Sequence, residues 1–227
     1  MAARTRSAPI PATRPHGATT LLAEAPWVRG LALLAIIALL VWSGFTQLRT
    51  PNVRPASAPA SAFSAERAMV HLSAIATSSR AVGMPGHDAA RDYLVAQLTA
   101  MGLRPEIQTA TSVLRFDGAD AFSAGTVANV VARIPGAANS GAIAINAHYD
   151  GGAPGPAAGD NGVGVAAALE VARAVLAGPP LTNDLILVFS DAEENGDLGA
   201  AAFNQLHPWA KDVRLAINFE GQGTGGP

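Results

Sequence analysis

The sequence predicts a three-layer α/β/α domain built on a mostly parallel, mixed central sheet, preceded by one N-terminal transmembrane helix. Three observations predict it. Apolar runs of strand length at 142–147 and 185–190 alternate with helix-period segments through the second half of the chain. That is the pattern of a largely parallel sheet covered on both faces. Each run also ends in ionisable side chains, His148 and Asp150 after the first and Asp191, Glu193 and Glu194 after the second. Ligands of open α/β sheets bind at the carboxyl ends of strands, so two loaded ends point to one shared site, read here as a two-metal hydrolase centre. Finally, residues 31–45 (LALLAIIALLVWSGF) form an uncharged run flanked by Trp27, Arg29 and Arg49.

Composition narrows the chemistry. The 227 residues allow one sizeable domain with appendages, and 49% apolar against 14% charged residues is enough for a buried core. A net charge of −2, with no basic patch, gives no case for a nucleic-acid partner. The absence of cysteine excludes disulfides, thiolate metal sites and a Cys nucleophile. With only five histidines, carboxylates must dominate any metal site.

Taken in order, residues 1–26 read as a disordered leader and 27–48 as the spanning helix, Arg29 snorkelling to the interface. A secretory signal peptide cleaved near Ala60-Ser61-Ala62 is the alternative; the long basic region ahead of the run favours an uncleaved anchor. Arg4, Arg6, Arg14 and Arg29 precede the run, which predicts a cytoplasmic N-terminus and a catalytic domain on the extracytoplasmic side, periplasmic or lumenal. Residues 49–63, rich in Pro, Ala and Ser, read as an extended linker, and 64–227 as the folded domain that carries the site. Within that domain the spacing predicts helices over 65–77 and 88–101, the latter stopped by Gly102. Strands follow at 106–113 and 126–134, then the first loaded strand. A helix over 163–176 ends at Gly178-Pro179-Pro180, and a helix over 198–206 follows the second loaded strand. A last strand, 214–219, carries Glu220.

The chemistry sits at three strand ends. Asp150, two residues beyond His148, is spaced to orient the imidazole. The Gly/Pro loop at 151–159 carries few side chains and delivers Asp160 to the start of a helix. Asp160 is read either as a helix N-cap or as a carboxylate bridging two metals. The adjacent Glu193 and Glu194 suit two jobs, one binding metal and the other moving protons. Glu220 is the third strand-terminal acid.

Four stretches carry a resemblance: RAVGMPGHDAARDYL, NAHYDGGAPGPAAGDNGVGVAAALEVAR, LVFSDAEENGDLGAAAF and HPWAKDVRLAINFEGQGTGG. Together they resemble the di-zinc exopeptidase family of bacterial leucyl aminopeptidases and glutaminyl cyclases, most nearly the endoplasmic-reticulum metallopeptidase and its bacterial relatives. The resemblance implies that His148 and Glu220 complete one zinc's ligands, that Asp160 bridges two zincs, and that Glu194 binds the second. It implies Glu193 as general base and Asp150 as the partner of His148. Asn161 stands where the family often has Asp, and Gly151 where Ser is usual. The family's final His ligand has no counterpart up to Pro227. The expectation is therefore that the chain is C-terminally truncated, holds two zincs only in a longer form, and is inactive by itself.

The reading is a membrane-anchored zinc metallopeptidase acting on peptide substrates, with aminopeptidase activity as the default. A glutaminyl-cyclase-like acyltransferase is the alternative on the same scaffold. A non-catalytic receptor-type domain is the alternative from another class, and the intact set of His148, Asp160, Glu193, Glu194 and Glu220 argues against it.

Overall fold

The computed structural model describes residues 26–47, 52–116, 121–152 and 154–221. The predicted leader, up to residue 25, lies outside them. The chain divides into two units, Met1–Asn52 and Val53–Pro227. The first contains helix α1, Pro26–Gln47, 22 residues with none buried. At 1.5 Å per residue it is about 33 Å long, enough to cross a hydrocarbon core of ~30 Å.

The second unit is a five-stranded sheet between helices. Its strands are β1 (Glu106–Arg115), β2 (Phe122–Ile134), β3 (Ala142–His148), β4 (Leu185–Ser190) and β5 (Val213–Asn218), in spatial order β1-β2-β4-β3-β5. β3 runs parallel to both β4 and β5, while β2 is antiparallel to β1 and β4. Four strands therefore share one direction and β2 alone is reversed. The helices are α2 (Ala65–Ile75), α3 (Pro85–Ala100), α4 (Val163–Leu176) and α5 (Leu198–Leu206).

β4, Leu-Ile-Leu-Val-Phe-Ser, is buried at every residue because both faces of the sheet are covered. Leu185, Leu187 and Phe189 pack with Leu94, Leu98 and Leu169 on the α3/α4 side. Ile186 and Val188 pack with Phe203 on the α5 side. The two crossovers, β3-α4-β4 and β4-α5-β5, thus lie on opposite faces. From β3 the chain moves first to one neighbour and then back past it to the other, so the carboxyl ends of β3, β4 and β5 flank a switch point, where such sheets open a crevice.

Two helices and the strand β2, which begins at Phe122, start or end earlier than predicted. α2 stops at Ile75, and α3 begins at Pro85, where a proline at the first helical position costs no hydrogen bond. The larger correction concerns the linker. Residues 53–63 are not extended; they belong to the second unit and wrap around Arg67. That guanidinium donates to the carbonyls of Ala56 (2.5 Å), Ala58 (3.0 Å) and Ala62 (2.6 Å). Its Nε reaches the buried carboxylate of Glu170 at 3.0 Å. Glu170 also accepts from Arg173 (2.6 Å) and from the Ser64 N–H (2.9 Å), so its charge is fully compensated.

Candidate metal centre

His148 is the last residue of β3, and its side chain is 1% exposed. Asp150, also buried, accepts the N–H groups of Glu193 and Glu194, each at 3.1 Å. Its Oδ1 lies 3.3 Å from His148 Nδ1. One carboxylate thus ties the two loaded strand ends together and lies beside the imidazole.

The Gly/Pro loop is shaped by a residue that sequence reasoning passed over. Arg80 is fully buried and donates to the carbonyls of Tyr149 (2.8 Å), Ala157 (2.9 Å) and Pro156. A loop poor in side chains turns its carbonyls inward, and each needs a donor. The arginine ahead of the Gly83–Gly86 turn is visible in the sequence, but the distant carbonyls it serves are not.

Asp160 is not a helix cap. Gly162 holds the N-cap position of α4, with no side-chain capping bond, and the Asp160 carboxylate turns to His148 Nε2 at 3.1 Å. Asn161 does different work. Its Nδ2 donates to the Phe219 carbonyl at 2.6 Å and its Oδ1 accepts from the Gly164 N–H at 3.1 Å. This clamp draws the end of β5 against the Asp160 turn. The approach is backbone to backbone, since a Cβ on Gly221 would meet the Gly159 carbonyl at 2.4 Å. Glu220 then lies 3.2 Å from His148 Nε2 through Oε1, while Oε2 accepts from Asn218 at 2.9 Å.

His148, Asp160 and Glu220 consequently offer one nitrogen and two oxygens, all within 4.8 Å of one another. The imidazole is buried, whereas the two carboxylates are about half exposed, so the cluster is anchored on the sheet and open on one side. One imidazole and two carboxylates fit zinc, which takes N and O donors and uses three protein ligands in catalytic sites. The field agrees. Burial by itself would lower the pKa of His148, but Asp150, Glu193 and Glu220 outweigh it and raise the value to about 9. The negative potential that holds a proton there is the one that would draw a divalent cation, whose binding releases that proton.

Glu193 stands beside the cluster, its Oε2 3.7 Å from His148 Nε2. Its pKa is raised, first by burial and then by Asp197, Glu220 and Asp150, against the opposing pull of His148. Glu194 lies to one side, its Oε1 accepting the Gly152 N–H at 2.9 Å. It is not one of the three clustered donors.

Asp191, delivered by the same strand end, faces elsewhere. It binds His87 Nε2 at 2.7 Å and the Ala128 N–H at 2.7 Å, and His87 stacks on Tyr149 with ring centroids 4.9 Å apart. His71 meets the Tyr93 hydroxyl at 2.8 Å. His207 is buried; it stacks on Phe203 and accepts the Trp209 N–H at 3.2 Å.

Fold and site together give an α/β/α domain with a candidate metal cluster at its strand ends. Residues 129–227 match peptidase family M28. The chain is 32% identical to endoplasmic reticulum metallopeptidase 1 of Rattus norvegicus, over 93% of its own length and 25% of that protein. Against the vacuolar membrane protease of Schizosaccharomyces japonicus it is 45% identical, over 37% of its length and 10% of that protein. It thus spans a quarter or less of these two relatives. Among solved structures, the glutaminyl cyclase of Porphyromonas gingivalis superimposes with a TM-score of 0.57 at 26% identity, over 69% of this chain and 58% of that one.

Proposed function

We propose that the chain is the catalytic part of a membrane-anchored zinc peptidase that removes residues from peptide N-termini, with Glu193 as its general base. The observation that carries this reading is the cluster of His148, Asp160 and Glu220 with Glu193 at its edge. His148, Asp160 and Glu220 would hold one zinc, and Asp160 and Glu194 would contribute to a second. Zinc bound there supplies an acidified water and an electrophile for the scissile carbonyl. Glu193 takes the proton of the attacking water and returns it to the departing amine. A carboxylate whose pKa is pushed up toward the working pH suits that exchange. Asp150 acts through others, orienting the His148 ring and holding the backbone of Glu193 and Glu194. Arg4, Arg6 and Arg14 ahead of α1, with Arg29 in its first turns, support a cytoplasmic N-terminus and an exported domain. A reporter fused after residue 60 should be active only on the far side of the membrane.

The second reading, a glutaminyl cyclase, is favoured by the likeness to the Porphyromonas gingivalis enzyme. There the amine of an N-terminal glutamine attacks its own side-chain amide, a ring closes and ammonia leaves. One assay separates the two. With zinc present, an aminoacyl-arylamide should release its arylamine. An N-terminal glutaminyl peptide that instead loses ammonia with its chain intact would select the cyclase.

A further inference from the structure

We infer that the free edge of β2 at Ala124 and Thr126 receives the substrate as an extended peptide that adds a strand to the sheet. This rests on the peptidase reading above. β2 pairs with β1 along its whole length, Phe122–Ile134, but with β4 only from Val130 to Ile134. Just past that pairing, Ala128 donates its N–H to Asp191 Oδ2, and its carbonyl accepts the Tyr149 hydroxyl at 2.9 Å. Backbone groups of successive strand residues point to alternate sides. Thr126 and Ala124, two and four residues earlier with no break in register, therefore present their N–H and C=O groups to the same side, away from β1. Both residues are exposed, and among the described residues nothing takes those groups. An unpaired edge is a template for another strand, and strand addition is an established mode of peptide recognition.

The edge leads toward Glu194. A cavity of about 280 Å³ runs along Ser123–Thr126, faced by Val82, Ala192, Asn195 and Leu198. It shares Val82 and Asn195 with a second cavity of about 240 Å³, walled by Gly151, Gly152 and Glu194. The wall opposite β2, residues 192–195, is the turn that carries Glu193. No charged side chain lines the first cavity, so the edge reads backbone and extension rather than a side-chain motif. An exopeptidase cuts after one residue. The residues beyond the cut are then the ones that reach Thr126 and Ala124, which sit about 7 Å apart along the strand.

The test uses the zinc-loaded protein in its longer form, a dipeptide amide and an octapeptide. Thr126→Pro removes the outward N–H without touching the ladder to β1, a position where an edge strand tolerates proline. It should raise KM for the octapeptide about tenfold, the size of one or two lost backbone hydrogen bonds, with kcat unchanged. The dipeptide amide should be unaffected, and Thr126→Val should behave as the parent. As a readout independent of turnover and of the variant's folding, an octapeptide with a reduced first bond should slow amide exchange at Ala124 and Thr126 in the parent protein. Equal loss on both substrates, or cleavage without exchange protection, overturns the edge and leaves the peptidase reading standing. A change of oligomeric mass in Thr126→Pro assigns the edge to a second copy and also overturns the inference. Exchange protection in a protein that cleaves no peptide supports the edge and removes the peptidase reading instead.

Discussion

The chain places two buried histidines against two buried aspartates at neighbouring strand ends, and they come to opposite fates. His87 and Asp191 form a closed pair at 2.7 Å, with Ala128 on the far oxygen and Tyr149 against the ring. His148 and Asp150 form an open one. Asp150 accepts two amides and lies 3.3 Å from Nδ1 of the imidazole, but Nε2 of His148 faces two half-exposed carboxylates at 3.1 and 3.2 Å. Residue types do not separate these pairs. What separates them is whether donor capacity remains once the fold has taken its share. The closed pair holds the fold, and the open one holds charge that invites a cation.

The sharpest way to break this contrast is at Glu193. Glu193→Gln should cut turnover by ~10²–10⁴ while bound zinc, measured by elemental analysis, stays unchanged. Loss of zinc together with activity would make Glu193 a ligand. At the closed pair the effect should fall on stability instead. His87→Ala leaves the buried Asp191 charge uncompensated and should cost about 3 kcal/mol in urea unfolding, with zinc content of the folded fraction retained.

Much of this contrast was legible in the sequence, for identifiable reasons. The helix over 163–176 and the strand over 185–190 stand where predicted, because uninterrupted apolar runs between Gly/Pro breaks leave few alternatives. The clustering of His148, Asp160 and Glu220 also follows the strand-end pattern. Long-range partners were not legible. Arg80 and Arg67 each gather backbone carbonyls from a distant or irregular segment, and local composition carries no trace of that. The segment at 53–63 looked like an extended linker because what orders it is a side chain from the helix that follows. The burial of His87 and His207 was not legible because it is set by Tyr149 and Phe203, which only the fold brings near.

Smaller changes sharpen the comparison further. Asp150→Asn keeps the shape but weakens the support of His148, and should lower zinc affinity ~10–100-fold by competition with a chelator. Glu170 extends the closed class. Burial raises its pKa, but Arg173, Ser64 and Arg67 outweigh burial, so the folded value lies below the ordinary carboxylate range. Its contribution is therefore present above the unfolded pKa of ~4.3 and is lost as pH falls through the folded value. Urea unfolding followed from neutral pH downward should show stability falling below about pH 4, and Glu170→Gln should flatten that limb. An unchanged limb would remove Glu170 from the closed class.

The most direct test of the central claim is a zinc-edge anomalous difference map from crystals of the zinc-loaded protein. The account predicts a peak bounded by His148 Nε2, Asp160 Oδ1 and Glu220 Oε1, with His87 still paired to Asp191 and carrying no metal. Zinc seated on His87 or His207, with none between those three atoms, would contradict it.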